Sequence, residues 1–266
     1  MVATPDDKAP LIEHLVELRQ RLLYSVLAIL AGFLIAFTFA EDIFAILVKP
    51  LRDITGPQGK MIYTGLHEAF FTYIKVSFFT GLFGASPIIL NQLWMFVAPG
   101  LYQHEKRAFF PFLVLTPALF FIGGLFCYSL VLPLAFQFFL SYVTESIEAL
   151  PRLAEYLSLV ISMMFAFGIA FEIPLLLVLL IRIGVISSQS LVQKRRYAIV
   201  GVFILAGILT PPDPYSQTLL AIPMLGMYEL AIIGGRMIER SLAKKRQAEE
   251  EAEAKAQAEA AKEEEN

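Results

Sequence analysis

The sequence predicts an all-α, polytopic membrane protein with six transmembrane helices, the last two of them short. Three observations carry that expectation. Hydrophobic residues make up 57% of the 266 and charged residues only 17%, with a mean hydropathy of +0.66, against about 45–50% apolar and about 25% charged in soluble domains. The excess is gathered into the uncharged runs Leu22 to Ala40, Val76 to His104 and Ala108 to Thr144. A run of about 18 or more such residues has the length of a membrane helix. Finally, lysine and arginine fall unevenly between the loops that six spans would place on opposite sides.

The elements follow in chain order. After a polar lead, Leu11, Ile12, Leu15, Leu18 and Leu22 recur at helical spacing, while Glu13, Glu17 and Arg21 lie four apart on another face. Residues 1–21 therefore form an amphipathic N-terminal helix that feeds the first span, 22–40. With no short apolar core followed by a small-residue cleavage site, no cleavable signal peptide is expected. Residues 41–68, with Pro50, Gly56, Pro57 and Gly59, read as a loop. The second span covers about 69–94, and Pro87 is placed to kink it.

Ala108 to Thr144 holds 37 uncharged residues, about 55 Å as one helix against a hydrocarbon core of about 30 Å. Pro133 and the Gly123–Gly124 pair offer breaks. The expectation is a third span over 109–132 followed by an apolar loop or interfacial helix. The fourth span covers about 154–181, and 183–196 is a polar loop. Two short apolar stretches, 197–212 and 215–234, are joined by the turn "TPPDPYSQ" and read as a hairpin of spans. Together these make a transmembrane domain over 22–236. Residues 237–266 form an acidic tail without an apolar stripe, expected to be disordered or a lone solvated helix.

Six spans put sixteen Lys or Arg on the side of the two termini and five on the other, so both termini are expected in the cytoplasm. The net charge of −3 divides between a tail, residues 249–266, with eight Glu and two Lys, and a mildly basic remainder. That balance implies no nucleic-acid partner. The single cysteine, Cys127, excludes an intramolecular disulfide and reads as a small packing residue.

No phosphate-binding loop, dinucleotide motif, catalytic triad or metal-ligand spacing among the three histidines is visible, so no enzyme, cofactor or metal is expected. Polar groups at membrane depth say more. Glu172 sits mid-span and must be protonated, paired or turned to a wet cavity, because a carboxylate at the bilayer centre costs upward of about 2.5 kcal/mol. Glu13, Glu17 and Arg21 share one helix face, and Glu105 lies in a loop near the same membrane surface. Such charges are either a solvated face or a pair of carboxylates that clamps a basic peptide, arginine above all, whose planar fork binds bidentately.

The motifs "HLVELRQRLL" at 14–23, "KPL" at 49–51, "QLWMFVAPGLYQHEKR" at 92–107, "YLSLVISMMFAFGIAFEIP" at 156–174, "KRRYAIVG" at 194–201 and "LTPPDPYSQTLLAIPM" at 209–224 resemble, in order, those of the TatC family. This is the multispanning subunit of the twin-arginine protein translocase. The resemblance covers nearly the whole chain except the tail, with no departure at these positions. It implies a cupped bundle in the bacterial cytoplasmic membrane, receiving signal peptides with two consecutive arginines and exporting folded proteins on the proton-motive force. It further implies that Glu17 and Glu105 contact the arginines, with Arg19, Phe96, Pro99, Leu101 and Tyr102 completing the site. Pro50 would shape an outer cap. Glu172 would line the concave face where the single-span subunits TatA and TatB dock, and Asp213 and Gln217 would lie in a partner-contact turn. Other TatC copies and membrane lipid are the remaining implied partners. The alternative from another class is a proton-coupled secondary transporter of a small solute with Glu172 as its site, but the internal repeat expected of many such carriers is not found.

Overall fold

The computed structural model describes residues 8–56, 61–101, 106–144, 150–210 and 213–264, and these are almost entirely helical. The order is α1 (Lys8–Thr38), α2 (Ala40–Thr55), α3 (Glu68–Leu101), α4 (Lys106–Phe126), a π-helical turn (Cys127–Val131), α5 (Leu132–Leu140), α6 (Leu153–Arg182), α7 (Ser188–Gln193), α8 (Arg195–Leu209) and α9 (Pro214–Glu264). Among the described residues, five stretches are long and apolar enough to cross a membrane: His14–Thr38, Glu68–Phe96, Pro111–Leu140, Leu153–Arg182 and Pro214–Lys244. Their outer faces keep large side chains in the open, such as Leu22 at 62% and Ile35 at 64%. Continuous apolar surface of this kind fits a hydrocarbon solvent rather than water.

The structure corrects several boundaries. Residues 41–68 are not all loop, because Ala40–Thr55 is helical. Phe44, Leu47, Val48 and Leu51 recur at i, i+3, i+4 and i+7, the spacing of one helix face, and the last three are buried. Pro50 stands inside this helix and is buried. Lacking an N–H, it cannot bond the Ile46 carbonyl one turn back, and the Tyr128 hydroxyl donates to that oxygen instead, at 2.8 Å. The next carbonyl, Leu47, accepts from the Tyr156 hydroxyl at 2.9 Å.

The third span does not end at 132. The helix runs on to Leu140 through a wider turn in which the Leu132 amide reaches the Cys127 carbonyl. That π turn falls just before Pro133 and absorbs its missing donor. Gly123 and Gly124 are contact surfaces, not breaks. A β-carbon at Gly123 would stand 2.5 Å from the Phe167 carbonyl oxygen, and one at Gly124 2.5 Å from the Phe83 ring. The 183–196 loop contains α7, capped by the Ser187 side chain, which accepts from the Ser190 amide at 3.1 Å.

At 15 residues, α8 is about 22 Å long and is short as expected. The following helix is not: its membrane-length stretch reaches Lys244, 31 residues in all. Glu229 does not end it, because Arg195 pairs with that carboxylate at 2.6 Å. Nor does the acidic tail break away at 237, since α9 continues to Glu264. Alanine, glutamate and lysine are strong helix formers, and the change of composition alters solvation rather than conformation.

The chain divides into two compact units, Met1–Glu172 with Phe203–Ile222, and Ile173–Val202 with Pro223–Asn266. In the first, α1 and α3 touch backbone to backbone. A β-carbon at Gly32 would stand 2.6 Å from the Gly81 carbonyl oxygen, and one at Gly81 2.3 Å from the Phe33 nitrogen. Small residues permit such approach where lipid supplies no hydrophobic drive between helices. An aromatic cluster of Phe79, Phe83, Phe120, Phe121 and Phe165 ties α3, α4 and α6, with ring centroids 5.0–6.3 Å apart. Ahead of α3, the Ile62 amide donates to Pro151 and its carbonyl accepts from Leu153, at 3.1 and 2.9 Å. Glu68 locks this crossing by accepting from the Thr64, Gly65 and Ala154 amides, with Arg152 at 3.6 Å.

In the second unit, Ile181, Leu191, Tyr228 and Ile232 form a core. The Tyr228 hydroxyl donates to the Leu191 carbonyl at 2.7 Å. Glu239 accepts from the Ser188 amide at 2.8 Å and from its hydroxyl.

Candidate functional site

The antiparallel contact of α1 with α3 sets the beginning of α1 against the end of α3. His14 stacks on Phe96, ring centroids 4.3 Å apart and planes 21° from parallel. Two turns along, Arg21 donates to Glu17 Oε1 from both Nε and Nη2, at 3.1 and 2.8 Å. Its Nη1 donates to Gln92 Oε1 at 3.1 Å and to Met95 Sδ at 3.5 Å. Helical period explains the grouping: residues 14, 17 and 21 fall on one face of α1, and 92, 95 and 96 on one face of α3.

Among the residues singled out from sequence, Glu17 and Phe96 are thus brought to one surface. Arg19, two positions on, is exposed. The backbone of α3 includes Pro99 and Leu101 in its last turn, and nothing further is described of them. Tyr102 and Glu105 lie outside the described residues. Sequence reading did not foresee His14, Gln92 or Met95. The signal for Gln92 was faint: a polar side chain near the end of an apolar span.

Glu172 lies in α6 with Oε1 buried and without a hydrogen-bond partner. Thr116 and Phe120 of α4 border its carboxyl group. The Ser86 hydroxyl and the side-chain oxygen of Asn91 are likewise buried and unpaired.

Asp213 caps α9, with Oδ1 accepting from the Ser216 amide at 2.7 Å and Pro214 in the first helical position, where no donor is missed. Gln217 Nε2 donates to the Phe203 carbonyl at 2.8 Å and thereby fastens α9 to α8. Tyr215 stacks on Phe138 at 4.5 Å. Among the described residues, no three His, Cys, Asp or Glu gather as metal ligands.

Fold and site together define a multi-pass, all-helical membrane protein. The model of the Sec-independent protein translocase protein family, TatC, matches residues 13–223. The chain belongs to that family: it is a receptor subunit of the twin-arginine translocation system and not an enzyme. The Sec-independent protein translocase protein TatC of Magnetococcus marinus is 58% identical over 245 residues, covering 92% of this chain and 90% of that one. The TatC of Escherichia coli K12 is 44% identical over 232 residues, covering 87% and 90%. A crystal structure described as the twin arginine translocase receptor TatC superposes with a TM-score of 0.74 at 42% identity, covering 85% of this chain and 99% of that one. The small-solute transporter alternative is set aside by this membership.

Proposed function

We propose that this subunit receives twin-arginine signal peptides at the α1–α3 surface and scaffolds the export of folded proteins, driven by the proton-motive force. The supporting observation is that Glu17, paired with Arg21, and Phe96, stacked on His14 one turn from Glu17, share a partly buried face where two helices meet. A carboxylate there holds a guanidinium by charge-assisted bonds, while the aromatic ring meets the apolar part of the peptide. Glu105, Arg19, Pro99, Leu101 and Tyr102 complete the site by motif.

In this reading α8 is a sixth, short span, and both termini face the cytoplasm. The Glu172 carboxyl, Asp213 and Gln217 serve contacts with the single-span partners TatA and TatB. Pro50 keeps the outer cap in shape, and other TatC copies complete the complex. The test is photocrosslinking from a benzoyl-phenylalanine at position 96. A twin-arginine signal peptide is expected to crosslink and a twin-lysine peptide to crosslink far less; equal labelling by both contradicts the reading.

A further inference from the structure

The carboxylate assigned to the peptide already holds an arginine. Nε and Nη2 of Arg21 both donate to Glu17 Oε1, and Nη1 is tied to Gln92 and Met95. An i,i+4 pair on a helix surface is ordinarily solvated and weak. This pair is placed otherwise. The two side chains are only 25% and 32% exposed, and the guanidinium is anchored on a second helix, 71 and 74 residues away in sequence. Among the described residues the hydrogen bonds to Glu17 fall on Oε1 and not on Oε2.

We infer that Arg21 is an internal stand-in for a signal-peptide arginine, and that binding is an exchange in which the incoming guanidinium replaces Arg21 on Glu17. The inference rests on the reading of Glu17 proposed above and names what sets its threshold. Replacing one guanidinium by another breaks and makes the same contact, so the exchange is close to neutral. A peptide with a single arginine gains little from it. A second arginine adds a contact that the exchange does not cancel. Arg21 thus raises the threshold of a site that would otherwise hold any single arginine, so that only a pair crosses it. A lysine cannot reproduce the fork on one oxygen, and its exchange for Arg21 is unfavourable. Displaced Arg21 can keep its Nη1 hydrogen bonds to Gln92 and Met95.

The test uses the full chain in lipid nanodiscs and synthetic signal peptides carrying Arg-Arg or Arg-Gln at the pair. In Arg21→Gln both peptides are expected to bind about tenfold more tightly, the scale of one charge-assisted contact. The Arg-Gln peptide should then reach the affinity that the wild type has for Arg-Arg. Gln92→Leu changes no charge but loosens Arg21, and is expected to tighten both peptides by a smaller factor. This separates exchange from a general electrostatic effect. In the wild type, solid-state NMR should show the Arg21 Cζ to Glu17 Cδ proximity lost on adding the Arg-Arg peptide. Weaker or unchanged binding in Arg21→Gln, or a proximity that survives saturation, overturns the exchange. Glu17→Gln separates the two claims: if it leaves Arg-Arg binding intact, the reading of Glu17 fails. If it weakens binding while Arg21→Gln does not strengthen it, the exchange alone fails.

Discussion

Replacing Gly81 by alanine is the perturbation whose outcome the packing constrains most tightly. The new β-carbon would stand 2.3 Å from the Phe33 nitrogen, 2.5 Å from the Gly32 carbonyl carbon and 2.7 Å from the Phe33 α-carbon. All three are backbone atoms of α1, so no side chain can rotate away. Relief to an ordinary contact requires the two helices to part by about 1 Å, and overpacking of this kind costs about 1–3 kcal/mol. The upper end of that range applies, since nothing flexible absorbs the strain. The same separation carried to the start of α1 would stretch the Arg21–Gln92 hydrogen bond, 3.1 Å now, to about 4 Å, beyond hydrogen-bonding reach.

Gly84, on the same helix, has nothing within 4 Å of its β-position, and Gly84→Ala is the control. Thermal unfolding in detergent is expected to show a clear loss of stability for Gly81→Ala and none for Gly84→Ala. Equal melting of both variants and wild type would refute the claim that α1 and α3 meet backbone to backbone.

Three further outcomes are expected. Tyr128→Phe removes the donor to the exposed Ile46 carbonyl and should cost about 0.5–1.5 kcal/mol. Adding Pro50→Ala supplies a backbone N–H and should recover part of that loss, which a double-mutant cycle by chemical denaturation would measure. Asp213→Ala removes the α9 cap at a cost of about 1 kcal/mol, and Asp213→Asn should restore it; lost partner copurification in Asp213→Ala with full recovery in Asp213→Asn would assign the effect to capping. In the second unit, Arg195→Ala should cost less than about 1 kcal/mol, because that pair is roughly half exposed and screened by salt. Glu239→Ala, which strips the Ser188 amide and hydroxyl of their acceptor, should cost more, as thermal unfolding at two salt concentrations would show.

The long helices were legible because membrane residence writes itself as uncharged length. The run from Leu22 corresponds to the apolar stretch His14–Thr38 of α1. Boundaries were less legible where one residue type has two uses. Pro50 and Gly56 suggested a loop, yet Pro50 sits inside α2 because a tyrosine from the π turn bonds the freed carbonyl. Gly123 and Gly124 suggested a break, and serve instead as contact surfaces for Phe167 and Phe83. Pro133 suggested an end, and the wider turn before it lets the helix continue. The acidic tail lacks an apolar stripe, but alanine and glutamate sustain a helix without one. For the site, Glu17 was visible by its spacing from Arg21. The anchoring of Arg21 on Gln92 and Met95 was not, because a contact across some seventy residues leaves no periodic trace in the sequence.

The central claim is that Glu17 at the α1–α3 surface, joined by Glu105 on the strength of its motif, reads arginine. The most direct measurement is the affinity of a twin-arginine signal peptide for Glu17→Gln, Glu105→Gln and the double variant in nanodiscs, beside that of a twin-lysine peptide. The account predicts at least about tenfold weaker arginine binding for each single variant, a further loss in the double, and little change for lysine. Undiminished twin-arginine affinity in the double variant would contradict it.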